Sequence, residues 1–573
     1  MASYFSFRWH HSRRRVTRDA HTLRVWLGNY INRHVYGAWQ KLGLMRWQFA
    51  AWVMIIIISL VGVYQGMDRL NAQWQQSVPA AGGTYREGLI GRVRLVNPLY
   101  IENSATSDVA SLVFSKLILT NDGQTIRPDL ANEWTVSPDK RTYTLKLRPD
   151  IYWHDGVKIT SQDVAFTFKL IQNPDTRSTL ASNWDKVAVN AVDDSTVVFQ
   201  LPASYSGFWS ALAQVGIVPQ HSLQDVQPSL MRLDEFNQRP IGSGPFILDY
   251  LDVSSEKINL RRYDQYYAGA PKLDGMQLVQ FDDSNGLIDA YAKRRLDGLS
   301  RVDPAQLDKV EDFDSLKVER YGLPAYVGAF FNNTAPVLTD VKIRTALGQA
   351  VDRRQMVADV LKGEGNVTHY PIPAGYTGFN PAAKRIDYDA SAAKATLEGK
   401  FSKPLRLVTS NSGEYPATAQ KLADAWRAAG VPIEVIAVDS FTLQQNYIRP
   451  RQYDVLVYGQ DIGADSDVYG FWHSSQAADP GLNLSAYKNA TADQLLEQAR
   501  FGKDVAFRDA KYKEFVRIWA EDVPALLLYS PRYLYAHTVE LTGLQAHNLV
   551  SPSDRFYNVQ DWAIRQRIAP RKN

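Results

Sequence analysis

The 573-residue chain contains no cysteine. This absence excludes disulfides, thiolate metal sites, iron–sulfur clusters, cysteine nucleophiles and lipid attachment through a cysteine. The sequence also lacks the HExxH zinc motif, the GxxxxGK[ST] phosphate loop, the GxGxxG dinucleotide fingerprint and the GxSxG nucleophile elbow. These absences exclude the common catalytic, cofactor and metal motifs, and only an enzyme built on scattered carboxylates would escape them. We therefore expect no enzyme activity, no cofactor and no metal.

Positive charge is concentrated at the amino end. Residues 1–47 carry nine Lys and Arg and one acidic residue, a net charge of +8, whereas the formal charge of the whole chain is +4. The remainder therefore carries −4, which gives no indication of nucleic-acid binding. Hydrophobic residues make up 45% and charged residues 22%, as in globular proteins. Since 573 residues exceed one domain core, we expect two or more lobes.

A long uncharged run lies between Arg46 and Asp68 and includes four consecutive isoleucines. A helix of this length covers about the 30 Å of a bilayer's hydrocarbon core. We predict an uncleaved transmembrane anchor at 47–67, because the basic arm at 1–46 is too long for a cleaved signal peptide. The positive-inside bias predicts a single-pass cell-membrane protein. The arm would be cytoplasmic, and the body after a linker at 68–83 would be extracellular or periplasmic.

From Thr84 onward, strand and helix patterns alternate without a fixed repeat. Residues 143–148 alternate apolar and polar side chains, and residues 187–201 form a hairpin pattern around a polar turn. A capping box predicts a helix that starts at about Ser161, and another predicts a helix that opens at Thr491. Mixed strands and helices over this length predict an α/β protein.

Four stretches in order along the chain carry a resemblance to a known family. They are Ala131-Asn132-Glu133-Trp134 with Trp153-His154-Asp155-Gly156, Ile241-Gly242-Ser243-Gly244-Pro245-Phe246, Asp340-Val341-Lys342-Ile343-Arg344 with Asp352-Arg353, and Tyr487-Lys488-Asn489 with Ala499-Arg500. In this combination the chain resembles, over about 84–563, the family-5 extracellular solute-binding proteins. These are the oligopeptide and dipeptide receptors of ABC importers.

The resemblance implies a two-lobed, periplasmic-binding-protein-like (type II) α/β fold with an inserted subdomain, preceded by the predicted transmembrane helix. The implied segments are lobe I at 84–125, 238–323 and 520–563, the inserted subdomain at 126–237 and lobe II at 324–519. The apolar segments 324–331 and 525–529 are placed to cross between the lobes as a hinge.

The resemblance also implies a ligand site. Peptide receptors of this family pair the ligand's terminal ammonium with a buried aspartate after a lobe II strand. The strand pattern at 453–458 is followed by Asp461 at the matching place, so Asp461 is the expected contact for a peptide amino terminus. Tyr458, Asp465 and Asp467 are candidate cleft-lining residues. The alternative reading is that Asp461 only caps a turn, since Tyr458 stands where the family often has Trp.

The implied function is a membrane-anchored extracellular binding protein that captures peptides and delivers them to an ABC-type importer. Its expected partners are the peptide, the ABC permease with its ATPase, and the membrane through residues 47–67, with no nucleic acid. Three alternatives stay open: a receptor for a non-peptide solute, a surface signalling or scaffold protein that uses the same cleft, and a surface hydrolase with unrecognised carboxylates.

Overall fold

The computed structural model describes residues 25–26, 28–36, 46–120, 125–502, 504–545 and 549–570. The chain divides into two units. One unit consists of residues 1–78 with 566–573, and the larger unit consists of residues 79–565.

The strands, in chain order, are β1 (Gln75–Ala80), β2 (Thr84–Ile90), β3 (Ile118–Leu119), β4 (Arg127–Pro128), β5 (Ala131–Val136), β6 (Thr142–Leu147), β7 (Ala188–Asp193), β8 (Thr196–Gln200), β9 (Phe246–Ile247), β10 (Lys257–Arg262), β11 (Gly275–Phe281), β12 (Gly298–Leu299), β13 (Leu316–Gly322), β14 (Ala325–Phe331), β15 (Gly365–Val367), β16 (Leu405–Ser410), β17 (Ile433–Val438), β18 (Val455–Asp461), β19 (Ala525–Thr538) and β20 (Arg565–Pro570). The α-helices of eight residues or more in the described chain are α1 (Arg46–Trp74), α2 (Ser104–Val113), α3 (Ser161–Gln172), α4 (Ser284–Ala292), α5 (Val341–Gln349), α6 (Arg353–Leu361), α7 (Ala390–Leu397), α8 (Tyr415–Ala428), α9 (Ala490–Arg500) and α10 (Val505–Asp522).

Most strands of the larger unit join one mixed sheet. Its spatial order is β17-β16-β18-β14-β19-β12-β2-β11-β10-β9, with β13 and β15 also paired to β19. β16 runs parallel to β17 and β18, and β2 runs parallel to β11 and β12. Parallel neighbours need crossover connections, which the intervening helices supply. A second, antiparallel sheet of order β5-β6-β8-β7 lies wholly between residues 131 and 200.

The two predicted hinge segments lie side by side. β14 pairs antiparallel with the first part of β19, with Phe330 opposite Ala525. β13 pairs with the second part of β19, with Gly322 opposite Arg532. Only two residues separate the end of β13 from the start of β14. These strands therefore form a continuous two-stranded ribbon, the hinge ribbon, that runs from one lobe into the other.

Separate hydrophobic cores lie on the two sides of this ribbon. One core contains Tyr85, Phe199 and Trp562 and is shared by lobe I and the inserted subdomain. Two further cores lie on opposite faces of the lobe II sheet, and neighbouring residues of β14 divide between them, Ala329 on one face and Phe330 on the other. Separate cores on either side of a narrow connection agree with the predicted two-lobed α/β body. The segment boundaries given above stay a prediction.

Local sequence signals placed several elements well. The capping box between Thr160 and Asp163 is present, and α3 begins at Ser161 as predicted. β7 and β8 form the predicted hairpin. The predicted cap of α9 is wrong, because the side chain of Asn489 accepts hydrogen bonds from the first backbone N–H groups and the helix begins at Ala490. An asparagine that precedes the helix is a strong N-cap, so it takes this position before Thr491 does.

The predicted transmembrane anchor at 47–67 is wrong, since no helix among the described residues is long and apolar enough to cross a membrane. Helix α1 (Arg46–Trp74) covers the uncharged run. The single-pass topology and the membrane partner were predicted from the same segment, so they are no longer supported. The predicted arm at 1–46 lies largely outside the described residues.

Candidate ligand-binding cleft

A cavity of about 300 Å³ lies where the two lobes meet beside the hinge ribbon. Lobe I contributes Leu89, Ser104, Arg301 and Tyr533 to its lining, and lobe II contributes Val327, Glu414, Tyr415, Gln460 and Asp461. The carboxyl end of β18 reaches this cavity, and strand ends of this kind are where open α/β sheets commonly bind ligands. We refer to this space as the first cavity.

Asp461 ends β18 and lines the first cavity. Solvent in the cleft reaches its side chain, but protein surrounds it on most sides, and this burial raises the pKa of Asp461 to about 6. A hydrogen bond donated by the Gly463 N–H at 3.1 Å opposes the rise, and the negative charge of Asp554 adds to it. Because the charged neighbour that acts on Asp461 is another carboxylate, the group is available to a cation from outside the protein.

The backbone beside Asp461 has a free edge. β18 pairs with β14 along its whole length, from Phe331 opposite Val455 to Ala325 opposite Asp461. Its pairing with β16 on the other side ends at Val457. Residues 458–461 therefore have no strand partner on that side, next to the first cavity, although the Tyr415 hydroxyl hydrogen-bonds the Gly459 backbone. An unpaired strand edge can accept an extended peptide as an additional strand.

Tyr458 supports the cavity from behind rather than lining it. Its ring stacks on that of Tyr415 with 6.2 Å between ring centres and an angle of 18°. The Tyr458 hydroxyl accepts a hydrogen bond from the Gln444 amide at 3.2 Å. Tyr415 itself lies in the cavity lining, and its hydroxyl lies against Gly459, where a Cβ would be only 2.6 Å from it. Glycine at 459 thus lets the Tyr415 ring close over the strand end.

The other two predicted acids are neutralised by arginines. Asp465 forms an ion pair with Arg508 at 2.7 Å, and both side chains are about nine-tenths buried. Asp467 forms an ion pair with Arg500 at 3.4 Å. Asp465 lines a second cavity of about 710 Å³, whereas Asp467 lines neither cavity. The ligand roles of Tyr458, Asp461, Asp465 and Asp467 stay predictions.

The second cavity lies beside the same hinge and shares Leu323 with the first. Its lining is largely apolar and aromatic, with Tyr376 and Phe379 on one side. His369 also lines it, and burial together with the positive charge of Arg353 lowers the pKa of this histidine to about 4. His369 is therefore neutral at physiological pH and brings no positive charge to the cavity.

Two charged groups that sequence reasoning missed face each other across the first cavity. Arg301 of lobe I and Glu414 of lobe II form an ion pair at 3.5 Å. The Glu414 side chain is mostly buried, while that of Arg301 is largely exposed. Neither residue lies in a recognisable motif, and 113 positions separate them in the sequence. No local signal predicts a pair that only the closed fold brings together.

A buried ionic network fixes the helix that borders the first cavity. Both carboxylate oxygens of Asp108, on α2, accept hydrogen bonds from Arg555 at 2.7 and 2.9 Å. The same guanidinium donates to Glu87, which also accepts from the Tyr535 hydroxyl at 3.1 Å. Burial raises the pKa of both carboxyl groups. The network ties α2 to β2 and β19, so Ser104 at the start of α2 is held in position at the cavity.

Comparison with known proteins agrees with this architecture. Residues 125–504 match the family described as bacterial extracellular solute-binding proteins, family 5 Middle. The chain is similar to the oligopeptide-binding protein AppA of Bacillus subtilis, with 27% identity over 537 residues, which are 89% of this chain and 97% of AppA. It is also similar to a putative ABC transporter peptide-binding protein of Brucella ovis, with 26% identity over 455 residues, 75% of this chain and 83% of that protein.

Solved structures show the same fold. AppA from Bacillus subtilis in complex with a nonapeptide has a TM-score of 0.75 and 26% identity, covering 85% of this chain and 99% of AppA. NikZ from Campylobacter jejuni in complex with Ni(L-His) has a TM-score of 0.74 at 24% identity, covering 84% and 99%, a likeness in fold alone. These matches confirm the two-lobed α/β fold and the predicted resemblance. The chain belongs to the family-5 bacterial extracellular solute-binding proteins.

Proposed function

We propose that this protein captures peptides in the cleft between its lobes and delivers them to the permease of an ABC importer, whose ATPase supplies the energy. The observation that carries the proposal is Asp461, a carboxylate in the first cavity whose charged neighbour is Asp554, another carboxylate. Its cation would be the terminal ammonium of the peptide. The protein would perform no chemistry, since closure of the lobes around the ligand is the working step.

Electrostatics favour an ammonium at this position. A carboxylate surrounded by protein loses hydration, and a cation that arrives there is attracted more strongly than it would be on an open surface. Binding of the ammonium favours the ionised form of Asp461, so its pKa, raised to about 6 in the free protein, falls when the ligand binds. Ligand and proton therefore compete for the same carboxylate.

The free edge of β18 supports a peptide rather than another amine. Residues 458–461 offer backbone N–H and C=O groups beside the carboxylate, in the arrangement that an extended chain can pair with. At Gly459 the Tyr415 hydroxyl bonds the backbone, so an arriving peptide would pair with the other residues of this edge or displace that hydroxyl. A ligand with one ammonium and a repeating amide backbone fits both features. The relative AppA, which is named as an oligopeptide-binding protein and has been solved with a nonapeptide, supports the same ligand class.

A direct test compares free and N-acetylated members of a randomised nonapeptide library on the full chain by isothermal titration calorimetry. Acetylation removes the ammonium and leaves the backbone unchanged. We expect the free library to bind and the acetylated library to bind at least about 30-fold more weakly, as loss of a buried charged partner predicts. Equal binding of both libraries would contradict the role of Asp461, and binding of neither would favour a non-peptide solute.

A further inference from the structure

A loop of the inserted subdomain reaches across the cleft to lobe II. Residues 204–207 follow β8 and precede Phe208, which is buried in the core that lobe I and the inserted subdomain share. Trp184 and Phe199 pack edge-to-face on Phe208, with 5.9 and 5.5 Å between ring centres. The loop is therefore fixed to the lobe I side of the molecule, although it also contacts lobe II.

The serines of this loop bind the end of a lobe II helix. The Ser206 hydroxyl donates to the carbonyl of Arg500, and the Ser204 hydroxyl donates to the carbonyl of Phe501, each at 3.4 Å. Arg500 is the last residue of α9. The final carbonyls of a helix lack partners within the helix, and here the opposite side of the cleft supplies them.

Tyr205 makes the central contact of the loop. The Arg500 guanidinium lies between two aromatic rings, 5.2 Å from the ring centre of Tyr205 and 4.7 Å from that of Tyr469. The same guanidinium pairs with Asp467, to which the Tyr205 hydroxyl also hydrogen-bonds. A tyrosine from the inserted subdomain thus completes a cation–π and ionic cluster that belongs to lobe II.

Gly207 fixes the position of the Tyr205 ring. A Cβ at residue 207 would lie 2.5 Å from the Tyr205 hydroxyl oxygen and 2.7 Å from the adjacent ring carbon. No side chain fits there while the ring keeps its place. Substitution of Gly207 is therefore a way to displace Tyr205 without altering Tyr205 itself.

We propose that residues 204–207 are a clasp that docks on lobe II when the cleft closes, with Tyr205 as its positioning residue. Tyr205 lines neither cavity, whereas its neighbour Ser206 lies in the lining of the second cavity. The clasp closes that side of the second cavity and holds the lobes together without touching the first. It slows ligand release and leaves ligand entry unchanged, because it forms only after the lobes meet.

The absence of cysteine makes closure measurable. Leu233→Cys in the inserted subdomain and Phe441→Cys in lobe II lie at side chains that are 82% and 74% exposed, and they provide two unique sites for fluorescent dyes. Single-molecule energy transfer on the full chain then gives the ratio of closed to open molecules. It is recorded without ligand and with the randomised nonapeptide library. Stopped-flow measurements on the same protein give the association and dissociation rates.

Tyr205→Ala should lower the closed-to-open ratio roughly tenfold and raise the dissociation rate by a similar factor, as expected for loss of a hydrogen bond to a charged group. Gly207→Ala should do the same, and Tyr205→Phe, which keeps the ring over Arg500, should have a smaller effect. The matched control is Tyr250→Ala. The Tyr250 ring also lies beside an arginine, with Arg239 5.0 Å from its centre, but Tyr250 is about half exposed and both residues lie in lobe I.

The clasp would be overturned by an unchanged ratio in Tyr205→Ala, by an equal change in Tyr250→Ala, or by the lack of any closed population of the parent protein in either condition. A change confined to the association rate would also contradict it. The kinetic measurement rests on the proposed peptide function, whereas the ratio without ligand does not. If the library leaves the parent unchanged, the peptide proposal fails, while the difference between the parent and Tyr205→Ala without ligand still decides the clasp.

Discussion

The two ends of the loop 461–467 carry the same residue type in opposite environments. At one end, Asp461 faces the first cavity, and the charge that acts on it is another carboxylate. At the other end, Asp465 and Asp467 each form an ion pair with an arginine of lobe II. An aspartate that the protein neutralises stabilises the fold, whereas one left without a cation is available for a ligand. The role of each aspartate is therefore set by whether an arginine lies beside it.

The strongest way to break this comparison is Asp461→Asn, which keeps the shape and removes the charge. We expect peptide affinity to fall by about 30-fold to several-thousand-fold, because loss of one buried charged partner costs roughly 2–5 kcal/mol. Calorimetry with the free nonapeptide library measures the loss. The N-acetylated library should lose its disadvantage in this variant. If Asp461→Asn weakens both libraries equally, the effect is a folding defect and the proposed ion pair is contradicted.

At the opposite end of the loop, loss of an ion-pair partner should lower the stability of the fold. Arg508→Ala leaves Asp465 mostly buried without its partner, and we expect the free energy of unfolding to fall by roughly 2–4 kcal/mol. Arg517→Ala on the same helix is the matched control, since its pair with Glu521 is about half exposed and contributes less than about 1 kcal/mol. Urea unfolding of both variants decides the comparison. Equal losses would show that Asp465 does not depend on its arginine.

Acidification should weaken ligand binding through Asp461. The pKa of Asp461 is raised to about 6, so the carboxylate is ionised at pH 7 and mostly protonated at pH 5. The peptide ammonium stays protonated across this range, so affinity should fall roughly tenfold from pH 7 to pH 5. Calorimetry at the two pH values tests this, with Asp461→Asn as the control that should lose the pH dependence. A parent affinity that rises on acidification would contradict the assignment.

The smallest expected effect is a gain in stability. Because the folded-state pKa of Asp461 lies above its ordinary value, the ionised side chain destabilises the free protein, and the cost is absent below about pH 4 and complete above about pH 6. Asp461→Asn should therefore raise the free energy of unfolding at pH 7 by a few tenths of a kcal/mol, since solvent in the cleft screens the charge. Urea unfolding without ligand at pH 7 and pH 4 measures it. A loss of stability at pH 7 would mean that Asp461 serves the fold.

Sequence signals of short range predicted much of this structure. The capping box at Thr160 and the hairpin of β7 and β8 depend on residues within about ten positions, and both are present. The cap of α9 failed by the same logic, because two good capping residues, Asn489 and Thr491, lie two positions apart and the earlier one is used. Local hydrogen bonding decides such features, so a sequence can reveal them.

Charged partners that are far apart in the sequence belong to a different class. Arg301 meets Glu414 across the cleft over 113 positions, and Arg555 meets Asp108 within lobe I over 447. Neither pair has a spacing or motif, because the complete fold brings the residues together. The family resemblance pointed to Asp461, but the sequence could not show that Asp465 and Asp467 have partners while Asp461 lacks one. The uncharged run at 47–67 shows another limit, because its length and basic flank predict a membrane span and no helix among the described residues qualifies as one.

The position of β19 late in the chain has a consequence for biosynthesis. This single strand pairs with β12 and β13 in one lobe and with β14 and β15 in the other. Neither half of the large sheet is complete until the ribosome has made residues 525–538. A nascent chain that lacks these residues leaves the edges of β12 and β14 without their partner strand. Completion of the large sheet in both lobes therefore depends on the same late strand.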